Sequence, residues 1–294
     1  MWLFILGCLI PSFWVSFLMT GAMRLIAPRI GLLDKPNARK IHLLPIPLGG
    51  GIGIWSGVVL PLLAIQGLVL FWKNHPPAWL PLEIQAQIAG AAYRTGELWW
   101  ILAAASALAV LGLMDDFSPL PWKPRLAFQV FVSAAVVYSG VRATIFFSNP
   151  WVGGILSVFW FVLLVNSFNF LDNMDGLSSG IALIVSVVFA LMMLTKPDDP
   201  RWLVGGFFLV VAGSLIGFLA HNWSPARIFM GDSGSYFIGF AIASMTVLGT
   251  FYSPTDKNQH VILAPFCVLA VPLYDICSVT LIRLWEGRSP FQPD

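Results

Sequence analysis

The chain has 294 residues, of which 58% are hydrophobic and only 10% are charged, and its formal net charge is +2. Soluble domains carry about 25% charged residues, so a soluble domain of this composition would need a core too large for its surface. The apolar runs are long and continuous, which excludes the short alternating segments of a transmembrane β-barrel. The composition therefore predicts an all-α, polytopic transmembrane helix bundle.

Nine apolar runs follow one another along the chain, and each predicts a membrane-spanning helix. They cover residues 2–23, 49–71, 98–114, 126–139, 151–168, 177–194, 202–220, 236–251 and 261–282. The first run has neither the basic start nor the small-residue cleavage site of a signal peptide, so we expect it to be a retained helix. Because no soluble domain or repeat is apparent, we expect residues 1–294 to form a single integral membrane domain.

The distribution of Lys and Arg predicts the orientation of this bundle. When the nine spans alternate, one side of the membrane receives more basic residues than the other, and many of them lie in the loop between the first two spans. The positive-inside rule assigns this side to the cytoplasm and therefore places the N-terminus outside. The same alternation places every acidic cluster described below in the cytoplasm, although a single miscounted span would separate the clusters.

Three acidic clusters lie at the ends of apolar runs. They are Asp115 with Asp116, Asp172 with Asp175, and Asp232. A carboxylate at the centre of a bilayer costs about 2.5–3.5 kcal/mol on insertion scales, so such residues belong at membrane boundaries or in polar cavities. Together on one membrane face, these carboxylates would suit a divalent cation and a phosphate substrate. They predict a cytoplasmic active site.

The first loop is basic, with Lys40 and His42 followed by the glycine run Gly49–Gly51. Such a loop could hold a phosphate or diphosphate, because its cations pair with phosphate oxygens and its glycines allow close backbone approach. Taken alone, the pattern is more typical of an ordinary cytoplasmic loop beside anionic lipid headgroups. The adjacent Asp115 and Asp116 follow a predicted helix end, where they could bind a cation or remain a solvated pair.

The central polar segment contains the candidate residues Asn166, Asn169, Asp172, Asn173, Asp175 and Gly176. On a continuous helix, positions 169, 172, 173 and 176 would share one face, so Asn169 and Asp172 could converge on one ligand. Their oxygens suit a hard cation or a sugar hydroxyl, and a polar loop between spans is the alternative. Asp232 lies between Gly231 and Ser233 at a predicted helix start, where it could bind magnesium or cap the helix.

Taken together, these segments resemble the polyprenyl-phosphate N-acetylhexosamine-1-phosphate transferase family, also called glycosyltransferase family 4. Its members start the synthesis of peptidoglycan lipid I, O-antigen, enterobacterial common antigen and wall teichoic acid. The matching segments occur in the family's order and cover nearly the whole chain: KIHLLPIPLGGG, LGLMDDF, NSFNFLDNMDGL, PARIFMGDSGS and VPLYDICSVTLIRLWEGRSPF.

The resemblance implies a reaction in which a UDP-sugar donates N-acetylhexosamine-1-phosphate to undecaprenyl phosphate and releases UMP. This step initiates cell-envelope polysaccharides, including lipopolysaccharide and cell-wall polymers. The expected cofactor is Mg²⁺, for which Mn²⁺ could substitute, and the favoured donor is UDP-GlcNAc or a related sugar. The expected location is the bacterial inner membrane, within the lipid bilayer. No nucleic-acid partner is expected, and a homodimer is left open.

The resemblance also implies roles for individual residues. Asp115 would deprotonate or position the lipid phosphate, and Asp232 would bind magnesium. The remaining catalytic residues would be Asp116, Asp172 and Asp175, and the substrate-binding residues would be Lys40, His42, Asn166, Asn169, Asn173 and Gly176. The choice between a covalent phospho-enzyme and direct attack stays open.

The chain departs from the family pattern at two places. Asn173 stands where the family usually has Gly, and Asn tolerates the left-handed backbone region best among the other residues. The sequence ends at Asp294, where family members continue into a His-rich loop and a last helix, so we expect both to be lacking. The alternatives are a MurNAc-pentapeptide-1-phosphate transferase, a catalytically impaired membrane scaffold, and a transporter.

Overall fold

The computed structural model describes residues 1–34, 44–93, 95–143, 149–195, 200–249 and 263–289, apart from the side chains of Glu83 and Ala91. This part of the chain contains eleven α-helices and one two-stranded sheet. The helices are α1 (Trp2–Ile26), α2 (Gly50–Trp72), α3 (Leu82–Tyr93), α4 (Thr95–Phe117), α5 (Trp122–Tyr138), α6 (Pro150–Leu171), α7 (Leu177–Leu194), α8 (Trp202–Asn222), α9 (Gly231–Leu248), α10 (Ala264–Val268) and α11 (Ala270–Trp285).

Six helices in the described residues are long and apolar enough to cross a membrane: α1, α2, α4, α6, α7 and α8. They confirm the prediction of an all-α, multi-pass membrane protein. The shorter or less apolar helices α5, α9 and α11 occupy the other three predicted spans. The count of nine spans and the orientation of the bundle remain predictions.

The small sheet closes the base of the first loop. Strand β1 (Leu33–Asp34) pairs antiparallel with β2 (Ile46–Pro47), so that Leu33 lies opposite Pro47. The backbone N–H of Phe229 donates to the Pro47 carbonyl over 2.9 Å, which connects the loop base to the segment that precedes α9. Lys40 and His42, the basic residues predicted to touch phosphate, lie outside the described residues.

Helix α9 is the buried centre of the bundle. All of its residues from Ser233 to Thr246 are buried, and α2, α4 and α6 pack around it. Aromatic rings fill the contact with α6, where the Phe161 and Phe240 ring centroids lie 5.3 Å apart. A helix that is buried on every side leaves its polar first turn dependent on partners from neighbouring helices.

The C-terminal end of α4 lies directly against the start of α9. Gly112 permits this approach, since a Cβ atom at that position would clash with the backbone of Asp232 and Ser233. Helix α4 also continues to Phe117, further than the sequence predicted, so Asp115 and Asp116 lie in its last turn and do not follow its end. Continued helix geometry carries both carboxylates to the start of α9.

The predicted orientation can be tested with two matched Ser→Cys variants, in a background where Cys8, Cys267 and Cys277 are replaced by Ala. Ser224 precedes α9 and Ser139 follows α5, and both are exposed. We expect a membrane-impermeant maleimide to label Ser139→Cys in intact cells, and to label Ser224→Cys only after permeabilisation. The unlabelled parent without cysteines is the control. The reverse pattern, or labelling of both variants in intact cells, would contradict the orientation.

Candidate active site

An ion-pair bridge joins two of the predicted acidic clusters. Arg125, on α5, pairs through Nη1 with Oδ2 of Asp115 in the last turn of α4. The same Nη1 atom lies 3.3 Å from Oδ2 of Asp232 in the first turn of α9. The Asp115 side chain is only 8% exposed, whereas the Arg125 and Asp232 side chains are 26% and 28% exposed. The bridge therefore presents one carboxylate and one guanidinium to a ligand, with the second carboxylate behind them.

Two further side chains orient the Asp232 carboxylate. Asn169, near the end of α6, donates from Nδ2 to Asp232 Oδ1 over 2.8 Å and lies 3.1 Å from Ser235 Oγ. The Tyr236 hydroxyl lies 3.4 Å from Asp232 Oδ2 and 3.3 Å from Arg125 Nη1. Partners from α5, α6 and α9 itself thus restrict Asp232 to one orientation, which is the arrangement expected of a ligand-binding group.

Asp116 is directed at the backbone of α9. Its Oδ1 atom accepts a hydrogen bond from the Asp232 N–H over 2.8 Å, and its Oδ2 atom accepts one from the Ser233 N–H over 3.2 Å. Helix α9 has no side-chain cap from its own sequence, since the residue before it is Met230. Asp116 therefore caps α9 from a different helix, and the carboxylate also complements the partial positive charge of a helix N-terminus.

Asp172 lies directly after the end of α6 and is half-buried. Burial raises the pKa of Asp172 to about 7, the nearby Asp116 carboxylate acts in the same direction, and the Gly231 backbone N–H partly offsets the rise. Asp172 therefore exchanges a proton near neutral pH. A bound cation would favour its charged form.

The remaining residues of the central segment take different positions. Because α6 ends at Leu171, the shared helical face predicted for positions 169, 172, 173 and 176 is wrong. Asp175 accepts a hydrogen bond from the Ala226 N–H over 2.9 Å, so it holds the segment before α9. The Asn173 side chain is exposed.

Two predicted substrate-binding residues make internal contacts. Asn166 donates to Gln129 over 2.7 Å, on the side of α6 that faces α5. Gly176 lies at the start of α7 and donates its N–H to Asn222 over 3.0 Å. The structure therefore brings Asp115, Asp116, Asn169, Asp172 and Asp232 together, while Asn166, Asp175 and Gly176 make contacts beside them.

Sequence reasoning missed Arg125, Tyr236 and Asn222. In the sequence, Arg125 directly precedes the predicted span that begins at residue 126, so it is indistinguishable from the other basic residues of the loops. Asn222 is 4% exposed, and it accepts from Gly176 and Ser179 and donates to the Ile228 carbonyl over 2.9 Å. The sequence offered one signal for Asn222, which is a polar residue at the end of an apolar run. A buried side-chain amide must form hydrogen bonds.

The chemistry of the acidic site is compatible with a divalent cation. No group of three or more His, Cys, Asp or Glu side chains in the described residues forms a ready metal cage. Magnesium does not require one, because it usually binds one or two carboxylates together with water and phosphate oxygens. Four carboxylates gather around α9, and Arg125 is the basic side chain that pairs with them within the described ranges. The excess negative charge favours a cation.

Comparisons with known proteins identify relatives. Residues 98–250 match the family model described as glycosyl transferase family 4. A probable undecaprenyl-phosphate N-acetylglucosaminyl 1-phosphate transferase of Bacillus subtilis is 31% identical, over 97% of this chain and 73% of the relative. A decaprenyl-phosphate N-acetylglucosaminephosphotransferase of Mycobacterium tuberculosis is 30% identical, over 95% and 71%. An Escherichia coli K12 undecaprenyl-phosphate alpha-N-acetylglucosaminyl 1-phosphate transferase is 28% identical, over 97% and 73%.

The raised pKa of Asp172 predicts a pH-dependent cost to stability. In the unfolded chain an Asp titrates at about 3.9, whereas the pKa of Asp172 in the folded protein is about 7. As the pH rises from about 4 to about 7, the unfolded state loses its proton first, so the folded state is progressively destabilised. We expect Asp172→Asn to raise the apparent Tm in detergent and EDTA, by more at pH 8 than at pH 5. An equal difference at both pH values would contradict the assignment.

Proposed function

The chain belongs to glycosyl transferase family 4, and on this premise we propose that it transfers N-acetylglucosamine-1-phosphate from a UDP-sugar to a polyprenyl phosphate. The products would be UMP and a polyprenyl diphosphate-linked sugar, which begins a cell-envelope polysaccharide. The observation that carries the proposal is the convergence of Asp115, Arg125, Asn169 and Asp232 at the start of a buried helix. We propose that this site lies on the cytoplasmic side of the bacterial inner membrane, the side that the distribution of Lys and Arg predicts.

The reaction needs positioned charge more than a strong base. An oxygen of the acceptor phosphate attacks the β-phosphorus of the UDP-sugar, the bond from that phosphorus to the bridging oxygen breaks, and UMP leaves with the electron pair. Charge on the phosphate oxygens changes during this transfer, so fixed cations and hydrogen-bond donors lower the barrier. The acceptor phosphate is already anionic at neutral pH, and it can act as the nucleophile once its charge is compensated.

Arg125 and Asp115 form the proposed anion-binding part of the site. The Arg125 guanidinium is 26% exposed and can donate to phosphate oxygens while Asp115 holds it in place. Asp115 itself is engaged on both oxygens, by Arg125 and by the Leu120 backbone N–H. A carboxylate so enclosed is poorly placed to become a phospho-enzyme, which favours direct attack and makes Asp115 a residue that positions the phosphates.

Asp232 is the proposed magnesium ligand, with Asp172 and substrate phosphate oxygens as further candidates; manganese is the proposed substitute. The bound cation would neutralise charge on the diphosphate and polarise its phosphorus–oxygen bonds. Asn169 orients the Asp232 carboxylate through the 2.8 Å hydrogen bond, and it remains able to contact substrate. A bound cation would also hold the Asp172 carboxyl, whose pKa is about 7, in its charged form.

The remaining candidate residues have supporting roles in this proposal. Lys40 and His42 would contact phosphates from the first loop, and the exposed Asn173 would contact the donor. Asp175 and Gly176 would shape the donor side of the site, because Asp175 bonds to Ala226 in the segment between α8 and α9 and Gly176 bonds to the last residue of α8. Asn166 would support α6 from behind through its bond to Gln129.

Particular observations weigh against the alternatives. The relatives are named for N-acetylglucosamine, which supports that sugar over MurNAc-pentapeptide as the transferred group. The clustered carboxylates lie at the ends of α4 and α6 and at the start of α9, whereas a transporter would place such groups at mid-span. The oriented and partly exposed Asp232 argues against a scaffold that has lost catalysis.

The direct test measures UMP release by the purified protein in vesicles that contain undecaprenyl phosphate and Mg²⁺. UDP-GlcNAc, UDP-GalNAc and UDP-MurNAc-pentapeptide are supplied in separate reactions. We expect the fastest release with UDP-GlcNAc and none after EDTA treatment. Fastest release with UDP-MurNAc-pentapeptide would favour the alternative transferase, and no release with any donor would contradict the proposed function.

Replacement of Asp232 tests the centre of the site. Asp232→Asn keeps the shape of the side chain but removes the charge that pairs with Arg125 and would bind magnesium. We expect the UMP-release rate to fall by roughly 10²–10³-fold, the loss typical of removing one electrostatic contributor to a transition state. Glu97→Gln is the matched control. Glu97 is an exposed carboxylate in the first turn of α4, at the opposite end of that helix from Asp115. Equal rates for Asp232→Asn and the control would rule out the assignment.

A further inference from the structure

We infer that Asp116 is a positioning residue, which holds the first turn of α9 and through it the Asp232 carboxylate, and that Asp116 does not itself react with substrate. The inference rests on the proposed function for its kinetic consequences. Its structural part concerns the α4–α9 contact alone, so it can be tested separately.

The first observation is the hydrogen bonding of the two carboxylate oxygens. Oδ1 and Oδ2 of Asp116 each accept from a different backbone N–H of α9, those of Asp232 and Ser233. These N–H groups have no partner within the helix, because the first turn of any α-helix leaves its donors unsatisfied. Met230 supplies no side-chain acceptor. Both oxygens are thus fixed by the backbone of α9, which is the geometry of a helix cap.

The second observation is the packing on both sides of this contact. Gly112 lies one turn before Asp116 on α4, against the backbone of Asp232 and Ser233, where a Cβ atom would clash. Gly231 has a φ of +74°, and a Cβ atom there would lie 2.6 Å from Oδ2 of Asp116. Gly112 therefore allows α4 to approach the start of α9, and Gly231 allows the Asp116 carboxylate to reach the helix end.

The third observation connects this contact to the reacting groups. The Asp232 side chain is held by Asn169 from α6 and by Arg125 from α5, whereas its backbone N–H is held by Asp116 from α4. A small rotation of the first turn of α9 would carry the Asp232 carboxylate away from Asn169 and Arg125. Asp116 thus acts on the site through the backbone of Asp232.

The structural test is hydrogen–deuterium exchange on the substrate-free protein in detergent, with EDTA present, comparing wild type, Asp116→Asn and Glu97→Gln. Asp116→Asn keeps the side-chain volume but replaces one acceptor with an NH₂ group that faces a backbone N–H. We expect peptides that cover residues 230–236 to exchange roughly tenfold faster or more in Asp116→Asn. We expect α1 and α8 to exchange as in wild type, and Glu97→Gln to match wild type throughout. Unchanged exchange at residues 230–236, or a uniform acceleration in every helix, would overturn the inference.

The kinetic test measures UMP release against magnesium concentration and pH. For Asp116→Asn we expect a roughly tenfold or greater rise in the half-saturating magnesium concentration and a lower kcat, while the acidic limb of the kcat/KM profile keeps its wild-type midpoint. Gly112→Ala should give the same pattern, since it displaces the Asp232 backbone sterically without removing a carboxylate. If Gly112→Ala does not fold, the isosteric Asp116→Asn decides alone.

Loss of the acidic limb with unchanged exchange would identify Asp116 as a reacting base. A wild-type protein that releases no UMP would contradict the proposed function and leave the exchange result to decide the structural claim.

Discussion

The backbone donors at the start of α9 are the constraint on which the site depends. Helix α9 is buried along nearly its whole length and begins without a side-chain cap of its own. Unsatisfied donors in such a place cost free energy, so neighbouring elements must supply the acceptors. Asp116 supplies acceptors from α4. Asp172, which directly follows α6, places its carboxyl beside the Gly231 N–H. The unsatisfied N–H groups at the start of α9 are thus matched by carboxylates at the ends of two other helices.

This arrangement gives the acidic residues different tasks. Asp116 is directed inward at backbone, Asp115 is enclosed by Arg125 and the chain that follows, and Asp232 keeps its carboxylate partly exposed. Carboxylates gathered so closely repel one another, which contributes to the raised pKa of Asp172. A cation and the phosphates of a substrate would relieve this repulsion. The same charges would therefore strengthen ligand binding.

The sequence predicted the helical membrane fold and the acidic clusters, because apolar runs and the cost of buried charge are local properties of the chain. It did not predict which carboxylate would cap α9, because that depends on how α4 and α9 pack across more than a hundred residues. The end of α6 at Leu171 was missed, because the apolar run stops at residue 168 and a continuous helix was assumed through the polar residues that follow. Arg125 was missed for a similar reason: its partners Asp115 and Asp232 become its neighbours only in the folded bundle.

The central claim is that a divalent cation and a nucleotide diphosphate bind together at the start of α9. An experimental density map of the protein with Mn²⁺ and UDP-GlcNAc tests it most directly, because manganese can be located by its anomalous scattering. The account predicts a manganese ion coordinated by Asp232, with the diphosphate bridging the ion and the Arg125 guanidinium. A metal ion bound away from Asp232, or a diphosphate that contacts neither the ion nor Arg125, would contradict it.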